Sequence, residues 1–179
     1  WTVDRVADEL RPKGAFMLNA GGDLYVTDAP HREQGWRVHL MHPLEPGRFI
    51  ATLSLAHRAL ATSTVARRRW MKDGFLQHHL IDPRTGRPAA TDALSVSVTT
   101  SRVFTAEIHA KVALILGLTD GLEYLEALPD VEGVLVAANG AIHQTTGMTR
   151  FLLGMMIRVY PAFEQVFHVE VSQLISRYL

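Results

Sequence analysis

Nine histidines and no cysteine limit the chemistry open to this 179-residue chain. Without cysteine there is no disulfide, no thiolate zinc site and no sulfur nucleophile, so imidazoles, carboxylates, hydroxyls and backbone groups must do any work. Two close pairs, His39 with His42 and His78 with His79, could each offer two ligands to a metal. Adjacent side chains on an extended chain point to opposite faces, which argues against a site built from histidine alone. G-x-G-x-x-G, G-x-x-x-x-G-K-[ST] and H-E-x-x-H are all absent, so dinucleotide, P-loop and zincin readings have no support.

Four segments carry more signal. They are Val3-Asp4-Arg5, Asn19-Ala20-Gly21-Gly22-Asp23, Ala61-Thr62-Ser63, and His79-Leu80-Ile81-Asp82-Pro83-Arg84-Thr85-Gly86, the last followed by Ser95-Val96-Ser97-Val98. A Gly-Gly pair lets a backbone approach a ligand closely, since no Cβ intervenes. The second and fourth segments also read as plain connections between strands, and the two readings are compatible. Further on, Glu107 and Lys111 stand four residues apart, the spacing of an ordinary helix-surface ion pair worth about 0.2–0.5 kcal/mol.

The elements that must position these groups follow from periodicity and punctuation. Val3, Val6, Ala7 and Leu10 make one stripe of a helix ended by Pro12 and Gly14. Residues 15–20 and 24–27 predict two strands joined by Gly21-Gly22-Asp23, and residues 36–40 and 49–55 two more. Residues 62–69 read as a polar stretch and 75–81 as partly apolar, before a tight turn at 82–86. Leu94, Val96 and Val98 alternate with serine and threonine as a strand. Thr105 is the expected cap of a helix closed by Gly117, with Ile108, Val112, Ile115 and Leu116 as its apolar face. Thr119 or Asp120 is expected to cap a second helix carrying Leu122, Leu125 and Leu128 and stopped by Pro129. Asn139-Gly140 predicts a type I′ hairpin between 134–138 and 141–145. Pro161 opens an amphipathic helix bearing Phe163, Val166, Phe167, Val171, Leu174, Ile175 and Tyr178. Strands in runs with helices grouped between them indicate an α+β fold, a largely antiparallel sheet with flanking helices.

The chain is long enough for one domain with a real core. Eighteen basic and eighteen acidic residues cancel, which argues against nucleic acid as partner, where a pI above about 9 is usual. Residues 1–90 hold thirteen of the basic residues against nine acidic, and the remainder is correspondingly acidic. A basic half suits an anionic ligand, though scattered solvated arginines explain it equally. The best apolar run, residues 151–160, is broken by Arg158 and is too short for a membrane span.

In order and spacing the four segments resemble the ApbE family, the FAD:protein FMN transferases, over roughly residues 1–148. Members of that family usually show a G-G-D turn, a T-S-G segment, an H-I-I-D-P-x-T-G segment and an alanine-rich helix bearing Asp and, four residues on, Thr. The segment from His79 to Gly86 is the most specific match, whereas G-G-D alone is weak. The resemblance implies that FMN passes from FAD to a threonine hydroxyl of an acceptor protein, with release of AMP and help from a divalent cation, normally magnesium. It makes His79 the candidate base, since a neutral imidazole with a pKa near ~6.5 can take a proton at working pH. It places Asp4, Asn19, Gly21, Gly22, Asp23, Thr62, Ser63, Asp82 and the backbone at Ile81 around the nucleotide.

The departures are specific. Thr64 stands where glycine usually follows Thr-Ser. Glu107 falls on the family's metal-binding Asp, Ala110 on the next site and Lys111 on its Thr. An ammonium about 4 Å from a divalent cation, at an effective dielectric of about 20, is repelled by about 8 kcal/mol. Three arrangements stay open: a Glu107–Lys111 pair, Lys111 standing in for the metal beside the pyrophosphate, or Glu107 holding a metal with Lys111 swung away. Family members also carry a further segment before the position of Trp1 that contributes to the flavin-ring pocket. The expectation is therefore such a domain without its N-terminal part, 1–148, with residues 149–179 as an extension whose amphipathic helix packs on the domain or on another chain, and with a homo-oligomer or a missing N-terminal segment both open. Competing expectations are a flavin-binding or partner-dependent module without catalysis, and a metal-dependent FAD hydrolase. Similar proteins often work outside the cytoplasmic membrane as lipoproteins, but no residue of this chain indicates a compartment.

Overall fold

The central element is an alternation of valine with serine and threonine, and the computed structural model, which describes residues 1–29 and 35–155, buries every residue of it. In chain order the elements are α1 (Thr2–Leu10), β1 (Met17–Ala20), β2 (Asp23–Val26), β3 (Trp36–Met41), β4 (Phe49–Leu55), β5 (Arg58–Thr64), β6 (Arg69–Lys72), β7 (Phe75–His78), β8 (Ile81–Asp82) and β9 (Arg87–Pro88). The central strand β10 (Ala93–Thr100) follows, then α2 (Val103–Leu116), α3 (Leu118–Glu126), β11 (Glu132–Ala137), β12 (Ile142–Gln144) and β13 (Leu152–Met155).

Six strands pair antiparallel in the order β1-β2-β5-β10-β11-β12, and β13-β4-β3 form a second antiparallel sheet. The α+β expectation is met. One face of the large sheet, with Ala61, Val96, Val98 and Leu135, packs under Ala106, Ala110, Ala113 and Leu114 of α2 and Leu125 of α3. The other face, with Leu24, Leu60, Val134 and Val136, packs on Leu40, Ile50, Leu53 and Leu55 of the small sheet. Layers on both sides explain why β10 shows no exposed face. The α1 stripe, Val3 and Ala7, meets Leu18, Tyr25 and Val103 at the sheet's edge.

The buried face of α2 differs from the expected one. The helix is apolar almost all round, so periodicity does not select a face, and Ile108 is left 41% exposed. The alanines face the sheet because small side chains let helix and sheet approach closely. Its start differs too: α2 begins at Val103, two residues before the expected cap Thr105, because Asp4 reaches it from α1. The Asp4 carboxylate accepts the N–H groups of Val103 at 2.8 Å and Phe104 at 2.9 Å. The cap of α3 is also borrowed. In place of Thr119 or Asp120, Asp92 Oδ1 accepts the N–H of Leu118 at 2.8 Å.

Helix α3 lies close against α2 at Gly121, where a Cβ would stand 2.3 Å from the Ala113 carbonyl oxygen. Both partners are backbone, so neither can turn aside. Gly121→Ala is expected to cost about 1–3 kcal/mol and to lower the thermal midpoint by about 2–10 °C, read by circular dichroism.

Two hairpins correct the sequence reading. Between β11 and β12 only Gly140 of the Asn139-Gly140 pair has positive φ, at 86°, so the turn is not type I′. The Gly140 N–H bonds the Ala137 carbonyl at 2.9 Å and the Ala137 N–H bonds that of Ala141 at 2.8 Å, a longer turn closed by a left-handed glycine. The polar stretch 62–69 conceals the end of β5 and the start of the β6–β7 hairpin, which turns at Asp73-Gly74 with φ of 52° and 79°. Within residues 149–179, β13 pairs with β4, while the amphipathic helix expected from Pro161 lies outside the described residues. No helix among the described residues is long and apolar enough to cross a membrane.

Candidate functional site

A gap in strand pairing makes the site. The β1–β2 hairpin turns back at Gly21 and Gly22, with φ of 68° and 110°, and Asn19 Oδ1 braces the turn by accepting the Gly22 N–H at 2.9 Å. Pairing of β2 with β5 therefore ends at Leu24 opposite Leu60, and β5 runs on through Thr62, Ser63 and Thr64 without a partner on that side. The result is a cavity of about 470 Å³ between that strand, the glycine turn, β3 and the outer face of α2.

Nine of the residues expected at a site line this cavity: Asn19, Gly21, Gly22, Asp23, Thr62, Ser63, His79, Glu107 and Lys111. Thr62 is held by an oxygen–oxygen bond of 2.8 Å to Ser97 on β10. Four expected residues are not in the lining. Asp4 is 5% exposed and spends both carboxylate oxygens on α2. Ala110 is fully buried against the sheet. Ile81 is 47% exposed beside the lining residue Leu80. Asp82 holds the turn after His79: its Oδ1 accepts the Arg84 N–H at 2.9 Å and its Oδ2 accepts Arg84 Nη2 at 2.9 Å. These bonds to Arg84 hold the Asp82 carboxyl below the usual carboxylate range.

Arg67 and Arg68, which the sequence reading did not single out, also line the cavity, as do His39 and His42, the pair weighed above as metal ligands. The two histidines are occupied locally. His39 stacks on Phe49 at 4.4 Å and shares a 2.9 Å bond with Thr52, while His42 Nδ1 accepts the N–H of Glu45 at 3.0 Å. Neither arginine forms an ion pair with a described residue. The run Arg67-Arg68-Arg69 was the available signal.

The charges interact across the pocket. Burial pushes the Asp23 carboxyl up, the Glu107 charge adds to this, and Lys111 partly opposes it. Partial burial pushes the His79 imidazole, whose residue stays exposed at the cavity rim, below the ordinary 6.5, and the cations of Arg68 and Lys111 act in the same direction, against a hydrogen bond with the Arg68 backbone. His79 thus stays neutral over a wider range than a free histidine. Lys111 Nζ lies 2.5 Å from Glu107 Oε1.

The positions matching a divalent-cation site do not fit one. They provide one carboxylate already paired with an ammonium, a buried methyl group and the ammonium itself. No group of three or more His, Asp or Glu among the described residues is arranged to hold a metal ion. What the cavity offers is a glycine turn, two guanidinium groups without an ion-pair partner among the described residues, a lysine and an imidazole whose neutral form is favoured, a set suited to a phosphate-bearing ligand and to taking up a proton.

A family model described as the ApbE family matches residues 1–135. An FAD:protein FMN transferase of Vibrio cholerae is 31% identical over 130 residues, covering 71% of this chain and 39% of that relative. One of Klebsiella pneumoniae is 27% identical over 142 residues, 78% of this chain and 43% of the relative. The solved flavin transferase ApbE from Vibrio cholerae superposes with a TM-score of 0.70 at 26% identity, over 85% of this chain and 50% of that one. The apbE protein of Thermotoga maritima gives a TM-score of 0.72 at 23% identity over 83% of this chain and 48% of its own, a likeness of fold alone. The chain spans half or less of the length of each of these four relatives.

Proposed function

The chain belongs to the ApbE family, and from that premise we propose that it takes part in moving FMN from FAD to a threonine hydroxyl of an acceptor protein, with AMP as the other product. The observation that carries this reading is the meeting of His79, Arg68, Lys111 and the Gly21-Gly22 turn in one cavity. The threonine oxygen attacks the phosphorus on the flavin side of the diphosphate. A new P–O bond forms, the bridging P–O bond breaks, and AMP leaves with the bridging oxygen. The proton of the hydroxyl passes to His79, whose neutral form is favoured by burial and by the neighbouring cations. Little covalent work falls to the protein in such a transfer; it positions the groups and meets the charge on the phosphoryl oxygens.

Asn19, Gly21, Gly22, Asp23, Thr62 and Ser63 form the wall on which the nucleotide rests, and the backbone at Ile81 contributes beside His79. Asp4 and Asp82 serve the same site at one remove, Asp4 by anchoring the start of α2 and Asp82 by fixing the turn that follows the base.

The test is purified protein with FAD and a threonine-bearing acceptor peptide. Mass spectrometry should find the peptide esterified with FMN, chromatography an equal amount of AMP, and a threonine-to-valine peptide no product. FAD binding without AMP would identify a flavin-binding module, and AMP with free FMN a hydrolase. A protein that does not bind FAD at all would overturn the reading.

A further inference from the structure

We propose that Lys111 occupies the place of a divalent cation in this pocket, so that the protein holds the diphosphate of its nucleotide with side-chain cations and without magnesium. This rests on the reading of the cavity as the nucleotide site. It starts from the misfit between that reading and the residues present.

A diphosphate brings negative charge on each phosphate, and something in the pocket has to meet it. The matching positions on α2 offer a metal a single carboxylate, because Ala110 has no side-chain oxygen and is buried against the sheet and Lys111 is an ammonium already paired with Glu107. Lys111 brings an ammonium to the wall of the same cavity, and two cations within one side chain's reach repel each other. The same charge attracts phosphate. Lys111 lines the cavity, and its ammonium is carried on the pocket wall by Glu107 at 2.5 Å. That bond needs only one of its three N–H donors, leaving two to turn toward a ligand.

Lys111 is not alone. Arg67 and Arg68 reach the same cavity from the segment after β5, and neither is neutralised by a carboxylate among the described residues. Asp23 and Glu107 line the same cavity; the Glu107 charge pushes the Asp23 carboxyl up and Lys111 opposes that push. The arrangement gives Lys111 two tasks: it offsets the two carboxylates in the empty pocket, and it contacts the phosphates in the filled one. A hydroxyl at position 111 would do neither.

The experiment is equilibrium binding of FAD, followed by flavin fluorescence, at one ionic strength in excess EDTA and again in millimolar magnesium chloride. The unaltered protein is expected to bind with the same affinity in both, within about twofold, and this arm needs no variant. Lys111→Met is expected to weaken FAD binding by about tenfold or more in EDTA, with Lys111→Arg staying within about threefold of the original. Riboflavin, which has no phosphate, should bind the original and Lys111→Met alike. Circular dichroism should show both variants folded, since the Lys111 side chain is 44% exposed.

Binding that disappears in EDTA and returns with magnesium would overturn the proposal while leaving the nucleotide site intact. FAD affinity unchanged in folded Lys111→Met would overturn it as well. Failure of FAD to bind under either condition would remove the functional reading itself, and this inference with it.

Discussion

His79→Ala is expected to lower the rate of the proposed FMN transfer by about 10²-fold or more and to change FAD affinity by less than about threefold. The large effect on rate follows from the step it serves. A threonine hydroxyl holds its proton tightly at neutral pH, and the imbalance is met only when a base accepts that proton as the P–O bond forms. The small effect on affinity follows from placement: in the proposed reading Arg67, Arg68 and Lys111, which line the same cavity, meet the phosphates, and a neutral imidazole takes no part in that charge balance. His79→Gln, which keeps much of the volume and the hydrogen bonding but cannot act as a base near neutral pH, should lose rate to a similar extent. A variant that transfers FMN at the original rate would remove His79 from the mechanism.

The pH profile carries the same argument with a definite sign. Burial first, then the cations of Arg68 and Lys111, move His79 below its ordinary 6.5. The base form therefore predominates at neutral pH, and kcat/KM is expected to fall as pH drops through the lowered value, so the acid limb lies below 6.5. Lys111→Met removes one of the contributing cations and should move that limb back toward higher pH.

Asp4→Ala is expected to destabilise the fold by about 3 kcal/mol, through the loss of two charge-assisted bonds and of the partner of the buried Val103 N–H. For a chain of this size the thermal midpoint should fall by roughly 6–12 °C. The carboxylate also faces the positive end of α2 and lies 3.9 Å from Arg102, so charge and hydrogen bonding act together. Asp4→Asn keeps an acceptor and should lose about half as much. The comparison separates two roles for this residue. A nucleotide ligand would lose FAD affinity at unchanged stability, whereas an anchor of α2 loses stability first and affinity only as the fold is lost.

Legibility followed the range of the forces involved. The Gly21-Gly22 turn, the alternation in β10 and the helix break at Gly117 rest on residues within a few positions of one another, and each was readable from the chain. The Asp73-Gly74 turn was equally local, and its signal was passed over because the strands around it lack clean alternation: Trp70, Met71, Phe75 and Leu76 are all exposed. The end of β5 was hidden for the opposite reason. Its Thr62 and Thr64 look like a loop, yet they satisfy their hydroxyls on Ser97 and on the Leu94 carbonyl of β10, partners no local pattern reveals.

The amino-acid sequence by itself determined the chemical repertoire, the antiparallel α+β class and the histidine-to-glycine segment that points to a family. Those depend on residue type, period and short spacing. Only the tertiary structure decided which groups meet. It sends Asp4 to the start of a helix about a hundred residues away, turns the alanine face of α2 inward, and gathers Arg68, His79, Glu107 and Lys111 around a stretch of β5 that is paired on its β10 side alone. The physical reason is that these contacts are set by strand register and close packing across layers, where an apolar helix selects its face by fit and a carboxylate selects its partner by the unpaired donors it finds.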